Sequence, residues 1–414
     1  MLFTRSSYLG VISCPGAEGF SEEIITSLKT IYQRRFDKVA GGLAKKYNLP
    51  LSEVIQKINF TNDLNAAHIK SSRDSIDKST PPQYGIPIQV TRFSNGEFKS
   101  EILRSIRGMD VYIISDVENH YPLRFGQDEK EYHLSVNDHV MILFSTLDTV
   151  LSSGARSATL VLPVYPYSRQ HKRKGREGLT ASWFGKVCEF MGASMIITLD
   201  IHSKAIENAC HRLTIENLHA SFQIIKELTK LIDIPKEDLV VVAPDTGAVD
   251  RNRFYAEHLN KPLAMLYKER DYSRISSNAD CTNITSVRLL GEVKGKTVFM
   301  ADDILGTGGT LIKAMRILKD MGAKKIICAV SLPLFSAHSV EYFNKAYEEG
   351  LFEYLIGTNA VYHDASVLSQ PWYKCAGISS LFATMISRIH HGKSVSRFLD
   401  NREIIYRLLH KKDS

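Results

Sequence analysis

Six short runs of nearly unbroken apolar residues recur along the chain, at 111–115 (VYIIS), 158–163 (ATLVLP), 194–199 (SMIITL), 239–243 (LVVVA), 297–301 (TVFMA) and 325–330 (KIICAV). Runs this short, apolar at every position and rich in β-branched residues, are predicted as strands covered on both faces. Amphipathic stretches between them predict helices at 141–153, 181–191, 221–232 and 309–321. Gly154, Gly192 and Gly322 each follow a predicted helix and precede a strand, where a helix stop belongs. The repeated order of strand, helix, x-Gly-Ala and strand predicts an α/β protein of two doubly wound parallel-sheet domains. Their boundary is expected near 216–220, giving a first domain of 1–217 and a second of 218–384. Residues 34–82 break the rhythm: polar and helical in pattern over 35–47 and 51–58, turn-like over 71–82. A peripheral helical insertion in the first domain is the simplest account, ahead of a partner-binding arm.

Composition narrows the function classes. With 414 residues, 44% of them hydrophobic, the chain can bury two cores. The formal charge of +7 points to anionic partners. It is spread along the chain, however, and runs such as Lys172-Arg173-Lys174 and Lys324-Lys325 are short. A long basic stripe interleaved with aromatics is absent, so small phosphorylated ligands are expected rather than nucleic acid. The six cysteines (Cys14, Cys188, Cys210, Cys281, Cys328, Cys375) show no close pairing, which argues against structural zinc or a disulfide framework. The N-terminus lacks the apolar core of a signal peptide and no run reaches the ~20 residues of a membrane span, so a soluble protein of a reducing compartment is expected.

Chemistry concentrates in one stretch. A hydrophobic strand ends in Asp302 and Asp303, and a turn of Gly306, Thr307, Gly308, Gly309 and Thr310 opens a helix. Bare N–H groups at 307–310 and the helix N-terminus suit a phosphomonoester, while the carboxylates suit the hydroxyls of an adjoining ribose or a hydrated metal. The plain alternative is a tight strand–helix turn with an acidic cap; the acid pair tips the balance towards a site. No Gly-Lys-Ser/Thr of a Walker A loop occurs there.

This run resembles the ribose-phosphate loop shared by type I phosphoribosyltransferases and ribose-phosphate pyrophosphokinases. Further segments, in order from about 93 to 400, resemble the pyrophosphokinases. Phe93-Ser94-Asn95-Gly96-Glu97 is similar to the family's FSDGE segment, with Asn95 replacing the commoner Asp. Tyr165-Pro166-Tyr167-Ser168-Arg169-Gln170 is similar to the segment carrying its Arg-Gln pair. Thr198-Leu199-Asp200-Ile201-His202 looks like TLDLH, and Pro244-Asp245-Thr246-Gly247-Ala248-Val249-Asp250-Arg251 like PDxGGVxR. Lys268 and Arg270 match the first and third basic positions of a Lys-Arg-Arg that follows a strand, with Glu269 in the middle. Near the C-terminus, 378–389 and Ser394-Val395-Ser396 look like the family's last helix and "SVS" strand. Two departures stand out. Arg176–Ser182 reads REGLTAS where the family's allosteric ADP/phosphate segment has R-x-PISAK, and Gly306 replaces the third acid of the sugar-phosphate loop. The insertion 34–82 and a long loop at 271–287 fall outside the resemblance.

The resemblance implies two domains of type I phosphoribosyltransferase-like fold, with a segment at about 385–400 packing back on the first. It implies a cytoplasmic ribose-phosphate diphosphokinase working on magnesium-ATP and ribose 5-phosphate, as a dimer-based homo-oligomer up to a hexamer. Residue by residue, it implies ATP contacts from Phe93, Asn95, Gly96, Glu97, Arg169 and Gln170, and magnesium ligands at His202, Asp245 and Asp200. The sugar phosphate falls to Asp302, Asp303, Gly306, Thr307, Gly308, Gly309, Thr310 and Arg270, and catalysis to Lys268 and Arg270. A non-catalytic homologue that regulates a true synthase and a phosphoribosyltransferase are the alternatives. The kept Lys268, Arg270, His202 and Asp245 argue against the first, and the ATP segments against the second.

Overall fold

The computed structural model describes residues 8–57, 83–126, 130–173, 175–270 and 284–410. The chain opens with β1 (Leu9–Ser13), α1 (Glu18–Tyr47) and α2 (Leu51–Lys57), then the hairpin β2 (Ile88–Arg92) and β3 (Phe98–Ile102). β4 (Asp110–Ile114), α3 (Val136–Ser152), β5 (Ser157–Val161), α4 (Thr180–Met191), β6 (Met195–Leu199) and β7 (Thr214–Leu218) follow. Then come α5 (Ser221–Leu231), β8 (Leu239–Ala243), α6 (Val249–Leu259), β9 (Leu263–Arg270), β10 (Ile284–Leu290), β11 (Thr297–Leu305), α7 (Gly309–Asp320) and β12 (Lys325–Pro333). The chain closes with α8 (Ser339–Glu348), β13 (Tyr354–Thr358), α9 (Ala365–Leu368), β14 (Tyr373–Ala376), α10 (Ser379–His390), α11 (Ser396–Leu399) and α12 (Arg402–Leu409).

These elements form two units. The first holds the chain up to Thr198 with Ser203–Glu216 and Ser379–Ser396; the second holds Leu199–His202, Asn217–Ile378 and the chain from Arg397. A five-stranded sheet runs β1-β4-β5-β6-β7, with β1/β4, β4/β5 and β5/β6 parallel. A seven-stranded sheet runs β10-β9-β8-β11-β12-β13-β14, parallel except where β10 pairs antiparallel with β9. The α/β fold with parallel sheets expected from the apolar runs is the fold found. All six runs are strands, but β11 and β12 are longer than the runs, reaching Leu305 and Pro333.

In the second unit alternate residues of β8, β11 and β12 (Val240, Val242, Val298, Met300, Ile326, Cys328) face one core with Leu311 and Met315 of α7. The other face is also closed, Phe299 meeting Tyr255 of α6 edge-on at 5.2 Å. Burial on both faces is the physical reason these strands carry no polar alternation. Gly154, Gly192 and Gly322 take φ of 81°, 100° and 90°, the left-handed turn that ends a helix without a Cβ penalty. Cys14, Cys188 and Cys328 are buried core residues.

Several expectations need correction. Residue 34, where the insertion was expected to begin, is not an element boundary: α1 runs unbroken from Glu18 to Tyr47. Ile24, Leu28, Tyr32, Phe36 and Ala40 recur every fourth residue, a single stripe along one helix face. The first part of that stripe belongs to the unit's core, where Phe20 meets Phe382 of α10 at 5.5 Å. The second part forms a separate small cluster in which Phe36 and Ala40 cover Val54 of α2. Residues 58–82 of the insertion lie outside the described residues. Residues 284–287 of the presumed loop are strand β10, and 271–283 lie outside the described residues. Ser394-Val395-Ser396 is not a strand: Arg388 donates to the Ser394 carbonyl at 2.6 Å and α11 starts at Ser396. No helix among the described residues is long and apolar enough to cross a membrane.

Candidate functional site

Strand β11 carries its two acids inside the sheet rather than in a loop, Asp302 standing opposite Val330 of β12. Just before them, the buried Asn252 of α6 donates to the Ala301 carbonyl at 2.8 Å and accepts from the Ala301 amide at 2.9 Å. This two-way bond satisfies a buried amide and fixes the strand end against the helix. Beyond the acids the chain is tied again: the Leu305 carbonyl accepts from Leu334 at 2.8 Å and the Gly306 carbonyl from Ser336 at 3.1 Å. Gly308 then turns left-handed at φ 78°, and a Cβ there would run into the ring of Phe343. Only glycine fits that pivot. Helix α7 starts with no side-chain cap and no acid in its first turn, and Thr307, Gly309 and Thr310 are exposed. An uncapped helix start with outward N–H groups is a receptor for an anion.

Beside this turn the second unit gathers five charged or ionisable side chains: His202, Asp303, Arg251, Asp200 and Asp302. Nδ1 of His202 donates to Asp303 Oδ2 at 2.6 Å. Nη2 of Arg251, from α6, lies 4.0 Å from the same oxygen, and its Nη1 lies 3.6 Å from Asp200 Oδ1. Burial works to raise the Asp303 carboxyl, but the His202 bond and the Arg251 charge outweigh it, leaving Asp303 below the usual range. Asp302 is pushed up to about 7, by burial and by the neighbouring Asp303 charge. One acid of the pair is thus held as an anion while the other gains a proton readily.

Asp200, expected as a magnesium ligand, has both carboxylate oxygens hydrogen-bonded within the protein. It is buried, with a left-handed backbone at φ 39°. Oδ1 accepts from Nδ1 of His219 at 2.8 Å; Oδ2 accepts from Ser331 Oγ at 2.5 Å and the Ala220 amide at 3.2 Å. Burial opposes its ionisation, but Arg251, His219 and Ser331 overcome this and hold the carboxyl well below the usual range. These bonds make Asp200 the anchor of the turn that presents His202 two residues on. Asp245 lies two residues beyond β8 and accepts from the amides of Gly247 and Ala248 through Oδ1, at 2.9 and 3.1 Å.

The other expected residues fall as follows. In the first unit residues 93–97 form the tip of the β2–β3 hairpin. Phe93 is 45% exposed. Its carbonyl accepts from Gly96 at 2.9 Å, and the Asn95 side chain accepts from the Glu97 amide at 3.2 Å. Arg169 and Gln170 are exposed in the segment after β5, and the Arg169 charge partly offsets the burial that pushes Glu118 up. In the second unit Lys268 and Arg270 are the last residues of β9 rather than residues beyond it, their backbones opposite Val287 and Ile284 of β10. Their side chains lie outside the described residues. Within the second unit the fold therefore joins His202 to the acid pair. It also adds Arg251, which nothing but its place in the Asp245 segment had marked.

A family model for the N-terminal domain of ribose phosphate pyrophosphokinase matches residues 74–192, and one for the phosphoribosyl transferase domain matches 211–364. Ribose-phosphate pyrophosphokinase A of Dictyostelium discoideum is 32% identical over 308 residues, 74% of this chain and 88% of the relative. Ribose-phosphate pyrophosphokinase of Bacillus subtilis is also 32% identical over 308 residues, 74% of this chain and 87% of the relative. The crystal structure of phosphoribosylpyrophosphate synthetase from Mycobacterium smegmatis superposes with a TM-score of 0.66 over 93% of this chain and 100% of that one. At 21% identity that likeness speaks for the fold alone. With both domains matched in series and relatives of this identity over three quarters of its length, the chain belongs to the ribose-phosphate pyrophosphokinase family.

Proposed function

We propose that the chain is an active ribose-phosphate diphosphokinase, which transfers the β,γ-diphosphate of magnesium-ATP to O1 of ribose 5-phosphate. The observation that carries this reading is the uncapped Gly/Thr turn at the end of β11 lying beside an acid, Asp303, that holds the imidazole of His202. In the proposed step the O1 oxygen forms a bond to the β-phosphorus as the bond to the oxygen bridging α and β breaks. That oxygen leaves on AMP with the electron pair, and the hydroxyl proton passes to water. No covalent enzyme intermediate is needed, so catalysis is alignment and charge neutralisation.

The sugar phosphate is assigned to Thr307, Gly308, Gly309 and Thr310, and its ribose hydroxyls to Asp302 with Asp303. Residues 93–97 with Arg169 and Gln170 are assigned to ATP, and Lys268 and Arg270 to charge developing at the transferred group. The described residues contain no group of three metal-ligating side chains. Magnesium commonly keeps its waters and takes one or two protein ligands plus substrate phosphates, so what fits is a metal arriving with the nucleotide. His202 suits that role, because a metal-bound imidazole commonly anchors its other N–H on a carboxylate, as Nδ1 does on Asp303. His202 through Nε2 and Asp245 through Oδ2 would hold the metal, which supplies positive charge along the polyphosphate. Purified protein given magnesium-ATP and ribose 5-phosphate should release AMP with no purine or pyrimidine base added. A well-folded protein that releases none refutes the assignment.

A further inference from the structure

Arg251 has no place in the assignments above, yet it reaches two carboxylates at once. Nη1 lies 3.6 Å from Asp200 Oδ1 and Nη2 lies 4.0 Å from Asp303 Oδ2. Nη1 also donates to Ser331 Oγ at 3.5 Å. Asp200 is the immobile end of this arrangement, because both of its oxygens are already held by His219, Ser331 and the Ala220 amide. Asp303 is the working end. Its Oδ1 accepts from the Ile304 amide at 2.8 Å, and its Oδ2 takes His202.

We propose that Arg251 is a positioning residue: it sets the Asp303 carboxylate against the fixed Asp200, and through Asp303 it sets the imidazole of His202. The proposal rests on the reading of His202 and Asp303 as site residues. A guanidinium is suited to the task because its planar fork offers separate nitrogens in a fixed geometry to two acceptors, which one ammonium does not. The three elements it ties together (the turn after β6, the start of α6 and the end of β11) share no backbone ladder at these residues. The side-chain ring Asp200, Arg251, Asp303 and His202 thus supplies the alignment that the sheet does not.

The test uses the full chain with Arg251→Met and Arg251→Lys. Kinetics are followed by AMP release, and the His202 ring nitrogens by 15N spectra of histidine-labelled protein assigned with His202→Gln. Loss of an outer partner of a ligating histidine commonly costs about 10- to 100-fold. Arg251→Met should lose that much in kcat/KM, and Arg251→Lys should recover part of it. The His202 nitrogens should move from one tautomer in the parent towards a mixture in Arg251→Met. Parent-like kinetics in Arg251→Met overturn the proposal. So does a loss of activity with the His202 spectrum unchanged, the result expected if Arg251 only supports the fold or touches substrate itself. If Arg251→Met does not fold, Ser331→Ala, which removes a bond from Asp200 and a neighbour from Arg251, is read in the same way with a smaller effect. A parent protein that releases no AMP removes the proposed activity instead, and the spectra of the ligand-free protein still decide the role of Arg251.

Discussion

Gly306 stands where the sugar-phosphate loops that this turn resembles carry a third acid. Its φ is not among the left-handed ones, so an aspartate there meets no conformational penalty of that kind. A hydrogen bond to a charged group contributes roughly 1.5–3 kcal/mol. Gly306→Asp should therefore lower the KM for ribose 5-phosphate about ten- to a hundredfold, with kcat less affected. An unchanged or raised KM would mean that another group already holds that hydroxyl. Gly308 is the opposite case, because its left-handed backbone and the Phe343 ring both exclude a side chain. Gly308→Ala should cost about 1–3 kcal/mol of stability and weaken sugar-phosphate binding. A parent-like melting temperature and KM would show that the ring yields. Lys268→Ala should cut kcat sharply while the KM for ATP stays within a few fold, since its contact is assigned to the transition state. Near-parental kcat would remove Lys268 from the mechanism.

Elements differed in how openly the sequence announces them. Strands buried on both faces, such as β8 and β12, were legible as apolar runs because burial leaves no room for polar alternation. The hairpin strands and β7 (TIENL) were not, since each mixes polar and apolar positions in five residues. The Gly/Thr turn and its acid pair could be read directly, because the chemistry lies within one short stretch. Arg251 could not: its meaning depends on packing that brings residues 200, 251 and 303 together. In α1 the sequence did hold the missing information, in a fourth-residue stripe crossing the presumed boundary. The far end of that helix buries Phe36 and Ala40 against Val54 of α2, a cluster separate from the main cores. Replacing 35–80 by a short Gly/Ser linker removes Phe36, Ala40 and Val54 together. The product should fold and keep most of its kcat; a folded deletion with no turnover would place the segment in the active assembly.

At the scale of the whole molecule, two-stranded ribbons are marginal alone, but β2–β3 is fastened to α3. Ser100 bonds Thr146 at 3.0 Å, and Thr149 donates to the Ser100 carbonyl at 3.3 Å. Arg92 stacks on Tyr132 at 4.4 Å. The resemblance implies a homo-oligomer and gives residues 93–97 to ATP; a stiff hairpin with an exposed Phe93 tip would suit those residues to serve the ATP site of a neighbouring copy. Mixing Glu97→Ala chains with Lys268→Ala chains should then restore activity that neither has alone; a fully active monomer would exclude it. The placement of α10 has a further consequence, for synthesis. The first unit closes only when α10 arrives and Phe382 meets Phe20 of α1, and the second only when Asn401 reaches the His219 carbonyl at 3.0 Å. At roughly 5–20 residues per second, the first unit waits on the order of ten seconds or more on the ribosome with an apolar face uncovered. Chains halted before Ser379 should be protease-sensitive and bound by chaperones, and adding back α10 as a separate peptide should protect them. The first unit is thus completed only after the 217–378 part of the second has been synthesised.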